Sequence, residues 1–323
     1  MFANVVGHEA AQRALTRALA SSHLSHAYLF VGPPQVGKRT LAKGLAQALL
    51  CAAPTPACGE CGPCRRVAAS RHPDLVLMGS EGHRGPRADL VLGQVHELQR
   101  MLGLAAFEGR CRVAIVDGAE RLTHEAANAL LKTLEEPPPA SYLFLLSEAE
   151  DRVLPTIISR CQRLVLGPLA KSLVEDALVE RWGANRAQAA LLAEHAGGRL
   201  GWAVEALQDP VLMDEVEARL SGLIRLLAEG ITARLATAAD LAEQAGEDPE
   251  ATLGLLTAWR RWWEGVLLAK GGVLVADEGQ RNLAEELSWA SVLAAVRSAD
   301  ATRELWEHNV NPLLAFEHSR RPT

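Results

Sequence analysis

The sequence predicts a parallel α/β domain with a cysteine-rich insertion, followed by two all-helical domains. Three observations carry that expectation. Short apolar runs of strand character alternate with helix-period segments as far as about residue 166, the pattern that builds a parallel sheet. A glycine-rich segment, Val31-Gly32-Pro33-Pro34-Gln35-Val36-Gly37-Lys38-Arg39-Thr40, joins the first such run to a helix. Beyond Gly167-Pro168 the strand signals cease, and alanine- and leucine-rich helical patterns carry the chain onward.

Taken in order, Asn4 to Ala20 reads as a helix, with Ala11, Leu15, Ala18 and Leu19 at helical spacing. Ala27–Val31 is a compact apolar strand, and Thr40 to Cys51 is a helix whose Leu41, Leu45, Ala48 and Leu49 share one face. Asp74–Met78 is a second strand, followed by a polar loop over Gly79–Ala88 and a helix over Leu90–Leu104. Arg112–Asp117 is a buried strand with its aspartate at the carboxyl end. Thr123–Leu134 is a helix stopped by Glu135-Glu136-Pro137-Pro138-Pro139. Tyr142–Ser147 and Gln162–Leu166 complete the strands. Gly197-Gly198 and Asp209-Pro210 break the helical part, so the expected domains are 1–167, 168–208 and 209–323. Trp259, Trp262 and Trp263 lie on one face of a helix and read as core packing, with a subunit contact as the other reading.

A chain of 323 residues has ample length for such cores. Its apolar fraction of 49% is that of an ordinary globular protein, and charges interrupt every apolar run before it could span a membrane. The start, Met1-Phe2-Ala3-Asn4, has neither the basic residues nor the apolar run of a signal peptide, so a cytoplasmic location is expected. A net charge of −6 disfavours nonspecific coating of nucleic acid.

Strand, glycine loop and helix are the context in which backbone N–H groups cradle phosphates. Gly32 and Gly37 allow the close turn, and Lys38 could reach the outer phosphates. Gln35, where glycine is common, is a mild departure provided its φ is negative. Arg39 is a serious one, because a guanidinium cannot replace the hydroxyl that ligates magnesium. Thr40 comes one position late. Asp117 stands where a magnesium-orienting carboxylate would, but the next place is Gly118, and Glu120 lies two residues beyond Gly118. Hydrolysis is therefore not expected. Binding of ATP or ADP, and an empty or occluded site, both remain open.

Four of the six cysteines, Cys51, Cys58, Cys61 and Cys64, fall within 14 residues in a loop containing Gly and Pro. Four soft ligands favour a structural zinc over an iron–sulfur cluster or bare thiols, and leave no open position for catalysis. Cys111 and Cys161 stand apart in core-like sequence. Pro155-Thr156-Ile157-Ile158-Ser159-Arg160-Cys161 places an arginine between a helix and the last strand. By itself it reads as a surface residue or a local ion pair, with an arginine finger as the sharper possibility.

An ordered series of motifs decides more. Val6-Gly7-His8, the loop at Gly32–Lys38, the four cysteines, His72-Pro73-Asp74, Val116-Asp117, Ala126–Pro138, Leu154–Cys161 and the closing Asn309–Glu317 follow one another. Together they resemble the AAA+ clamp-loader family, specifically its delta-prime subunits of bacterial DNA polymerase III. The resemblance implies a base domain, a helical lid and a helical collar. It implies a ring with the delta subunit and gamma/tau ATPase subunits, acting on the sliding clamp and primer-template DNA. It also implies that Arg160 contacts ATP held by a neighbouring gamma/tau subunit. The gamma/tau ATPase is the alternative. Arg39, Gly118 and Gly201, the last at the lid position where that ATPase has an ATP-contacting arginine, argue against it.

Overall fold

A computed structural model of the chain describes residues 2–79, 89–214 and 249–307, apart from residues 22, 55, 149, 210, 274 and 276, together with 218, 221 and 224. The closing segment 309–317 and nearly all of the expected polar loop therefore lie outside the described residues. The chain divides into two compact units, one holding everything described as far as Gln208, the other formed from Asp209 onward.

The first unit is built on a five-stranded parallel sheet. Its strands are β1 (Ala27–Val31), β2 (Leu75–Met78), β3 (Arg112–Asp117), β4 (Ser141–Ser147) and β5 (Gln162–Val165), in the order β2-β3-β4-β1-β5. Alternate residues of a strand point to opposite faces, and both faces are covered. Tyr28 and Phe30 join Leu41, Leu45, Phe144 and Ile115 in one core, while Ala27, Leu29 and Val31 join Leu98, Leu130, Leu145 and Val116 in the other. Helices α1 (Glu9–Ala20), α2 (Lys38–Leu50) and α3 (Gly62–Ala68) contribute to the first core. The second is covered by α4 (Leu92–Leu102), α5 (His124–Glu135) and the short α6 (Pro155–Ile158). This is the parallel α/β architecture that the alternation of strand and helix patterns predicts.

Two expectations need correction. Helix α1 starts at Glu9 and not near Asn4, because Gly7 and His8 take φ of 67° and 58°, a left-handed turn that cannot continue a helix. The cysteine segment is not wholly loop: Gly62–Ala68 is helical, with Pro63 in its first turn and Val67 fully buried in the core. Helix α5 begins as expected, the Thr123 hydroxyl accepting from the Ala126 N–H.

After β5 the first unit continues with α7 (Lys171–Trp182), α8 (Arg186–Ala196) and α9 (Leu200–Gln208), and Gly197 and Gly198, at φ of 59° and 81°, separate α8 from α9. The second unit contains α10 (Pro249–Lys270), α11 (Glu278–Glu286) and α12 (Trp289–Glu307) among its described residues. Trp259, Trp262 and Trp263 are buried there with Val266, Ala284 and Val292, Trp259 stacking on Trp262 at 5.7 Å. That is the core-packing reading. Among the described residues no helix is long and apolar enough to cross a membrane.

Candidate functional site

In an open parallel sheet, ligands approach the carboxyl ends of the strands. Here those ends bring together Val31, Asp117 and Ser147, and the glycine loop leaves β1 among them: the Gly32 N–H donates to the Ser147 carbonyl at 3.1 Å. Three further contacts fix the loop. His8 Nε2 lies 2.9 Å from the Val36 carbonyl, the Gly201 N–H donates to the Gln35 carbonyl at 2.8 Å, and Gln35 Nε2 donates to Glu205 at 3.1 Å. Gln35 itself has a φ of 59°, so the condition for a mild departure fails: a side chain stands where the backbone favours glycine. Its two bonds to α9 accompany that strained backbone.

Lys38 is buried, and its Nζ donates to the Gly32 and Pro33 carbonyls at 2.6 and 2.8 Å. These two bonds close the loop on itself. Arg39 Nη1 lies 3.9 Å from Asp117 Oδ2, both side chains about a third exposed at 30% and 33%. Thr40 is exposed further round α2. A guanidinium thus occupies the neighbourhood of the aspartate that would orient a divalent ion.

Glu120 lies nearer this centre than its spacing suggested. Burial pushes its carboxyl above the usual range, against the Ser147 hydroxyl and the Lys38 charge, which favour ionisation. Arg121 Nη2 donates to the Asp117 carbonyl at 2.6 Å and the Gly79 carbonyl at 3.0 Å, bracing the end of β3. Sequence reasoning did not single out Ser147 or Arg121. Their place at the strand ends follows only from the sheet order.

Local structure explains how the cysteines meet. Cys51 is the first residue after α2, Cys61 precedes α3, Cys64 lies in its first turn, and Cys58 sits between positive-φ residues Ala57 and Gly59. The four sulfurs all lie within 4.8 Å of one another. Cys51 is 3.6 Å from Cys58 and 3.9 Å from Cys61, and Cys58 is 4.0 Å from Cys64. Four sulfurs at ~2.3 Å from a central ion would form a tetrahedron with edges of ~3.8 Å. The cluster fits that figure and can hold a metal ion. Backbone N–H groups near Cys64 and Ala52 bring the Cys61 thiol down to about 6, and burial pushes Cys64 up to about 12. A cation among them would hold all four as thiolates. By contrast Cys111 and Cys161 are pushed up to about 11 and about 12 by burial, as expected of core thiols.

Arg160 is exposed just after α6. Its Nη2 is 2.7 Å from Glu135 Oε1, and its Nη1 donates to the Thr156 carbonyl at 3.0 Å and the Ser159 hydroxyl at 3.3 Å. In the isolated chain it makes the local ion pair that was the plainer expectation.

A family model described as "DNA polymerase III, delta subunit" matches residues 7–170. DNA polymerase III subunit delta′ of Bacillus subtilis (strain 168) is 36% identical over 168 residues, 52% of this chain and 50% of the relative. The delta′ subunit of Pseudomonas aeruginosa is 44% identical over 140 residues, 42% of each chain. DNA polymerase III subunit tau of Escherichia coli (strain K12) is 31% identical over 290 residues, 84% of this chain and 43% of the relative. The matches thus span half or less of the relatives' own length.

Proposed function

Because the chain belongs to the DNA polymerase III delta-subunit family, we propose that it serves as the delta-prime subunit of a clamp loader and does not hydrolyse ATP itself. On this reading residues 1–167 are the base, 168–208 the lid and 209–323 the collar that holds the ring together. The partners are the delta subunit and gamma/tau ATPase subunits, and through them the sliding clamp and primer-template DNA. Arg160, exposed beside α6, leaves Glu135 on assembly and enters a neighbour's ATP site, where its fork of donors stabilises charge on the transferred phosphoryl group.

The observation that carries the non-hydrolysing assignment is the approach of Arg39 to Asp117. Hydrolysis at this loop would need a hydroxyl and a carboxylate converging on magnesium, with a base beyond them. A cation already faces the carboxylate, the place of the base is Gly118, and Glu120 stands two residues further on. We read the loop as able to take ATP or ADP without turning it over. The ion among Cys51, Cys58, Cys61 and Cys64 is zinc, for which four thiolates close a structural site. The relation to tau over most of the chain supports a second reading, an ATPase subunit using Lys38 and Asp117.

Reconstitution with delta, gamma/tau, clamp and primed DNA tests the assignment. The purified chain alone is expected to show no magnesium-dependent turnover, and adding it to the other subunits is expected to restore clamp loading. Turnover by the chain alone, abolished by Lys38→Ala, would favour the second reading.

A further inference from the structure

We propose that the four-cysteine centre orders a second segment besides its own, the loop at 103–111 between α4 and β3, by fixing α3 against the end of α2. The inference rests on the reading that the four thiolates hold an ion.

That loop has almost no core of its own. Leu104 is exposed, and Phe107, at 79%, is the most exposed large apolar residue among those described. Backbone bonds to buried charged groups hold the loop instead. The Arg112 guanidinium donates to the Leu104 and Ala105 carbonyls at 2.9 and 2.8 Å, and the Asp74 carboxylate accepts from the N–H groups of Phe107, Glu108 and Gly109. A segment with so few buried apolar contacts opens locally when its anchors shift.

The loop is fastened to the same two elements that the cysteines join. On one side it leans on the end of α2: a Cβ at Gly109 would stand 2.9 Å from Leu50 Cδ2, and Leu50 adjoins Cys51. On the other, Arg66 of α3, two residues past Cys64, donates to Glu108 Oε1 from Nε at 3.1 Å and from Nη2 at 2.5 Å. His72 Nε2, in a fully buried side chain, lies 3.1 Å from the same oxygen.

Asp74 is itself placed from α3. With Ser70 at a φ of 58°, the Ser70 N–H donates to the Val67 carbonyl at 2.9 Å and the Arg71 N–H to the Arg66 carbonyl at 2.8 Å, a turn that ends the helix. Directly beyond it, the Asp74 N–H donates to His72 Nδ1 at 3.1 Å. Helix α3 has only seven residues, too few to persist alone. An ion that binds Cys61 and Cys64 to Cys51 and Cys58 therefore keeps in place the helix from which Arg66 and Asp74 reach the loop. The Asp74 carbonyl also accepts from the Val113 N–H at 2.9 Å, so losing the ion loosens the loop without freeing it from the sheet. The coupling is reciprocal: what the metal does for the loop, the loop does for the metal.

Amide hydrogen exchange of the full chain, with zinc and after its removal by a strong chelator, tests this. Removal is expected to speed exchange at 107–109 by about tenfold relative to α7 in the same unit. Arg66→Ala should retain zinc and still speed that exchange by about threefold, the size of one partly exposed ion pair. Glu108→Ala, remote in sequence from all four cysteines, should hasten transfer of zinc to a chelating dye by about threefold. Exchange at 107–109 that is the same with and without zinc, or zinc transfer unchanged by Glu108→Ala, overturns the inference while the metal site stands. A chain that takes up no zinc removes the site and the inference together.

Discussion

Asp74 shows what a single residue contributes that its sequence neighbours do not announce. His72-Pro73-Asp74 was legible as part of a signature, but its partners lie more than thirty residues on. The carboxylate is fully buried and accepts from the N–H groups of Phe107, Glu108 and Gly109 at 2.6, 3.0 and 2.8 Å, with Arg112 at 3.8 Å. Burial would raise its pKa, but the three N–H groups and the Arg112 charge overcome this and hold it below the usual carboxylate range. Asp74→Ala should therefore cost about 3 kcal/mol, since it strands buried donors and a buried guanidinium. A denaturant melt measures this. Because the folded carboxyl is the more acidic, its contribution is present above the unfolded pKa of about 4 and is lost as pH falls through the folded value. Asp74→Asn should flatten that acid limb. Arg39 was the opposite case: its identity alone signalled a blocked magnesium site, and the geometry supplied the partner.

Among the elements, strands and long helices were readable to within a few residues because their apolar periods are strong. Helix α3 was not. Seven residues rich in Gly, Pro, Cys and Arg carry almost no periodic signal, and a helix so short is unstable on its own. It is held from outside. Val67 enters the core under α2, Gln47 Nε2 donates to the Cys64 carbonyl at 3.0 Å, and Arg66 pairs with Glu108 at 2.5 Å. The proposed zinc would tie α3 to the end of α2. Removing it with a strong chelator, or by Cys64→Ser, should lower the stability of the first unit by about 2 kcal/mol or more, leaving α10–α12 helical. Elemental analysis should find one zinc per chain. A chain purified without chelator that contains none would exclude the assignment.

For the molecule as a whole, the parallel base followed by helices was visible in where strand patterning stops, near residue 166. The sheet order was not, because β1 lies between β4 and β5, pairing that depends on contacts across more than a hundred residues. That order carries the loop, Asp117 and Ser147 to the carboxyl ends of the strands, while Arg160 stands exposed after α6; on the proposed reading its target is another subunit. The central claim is that this chain acts on a neighbour's ATP and not on its own. The most direct measurement is clamp- and DNA-stimulated ATPase of the reconstituted ring carrying Arg160→Ala or Lys38→Ala in this chain alone. Arg160→Ala should leave assembly intact and lower turnover at the adjacent site by about tenfold or more, while Lys38→Ala should change it little. Loss of activity with Lys38→Ala and none with Arg160→Ala would contradict the account.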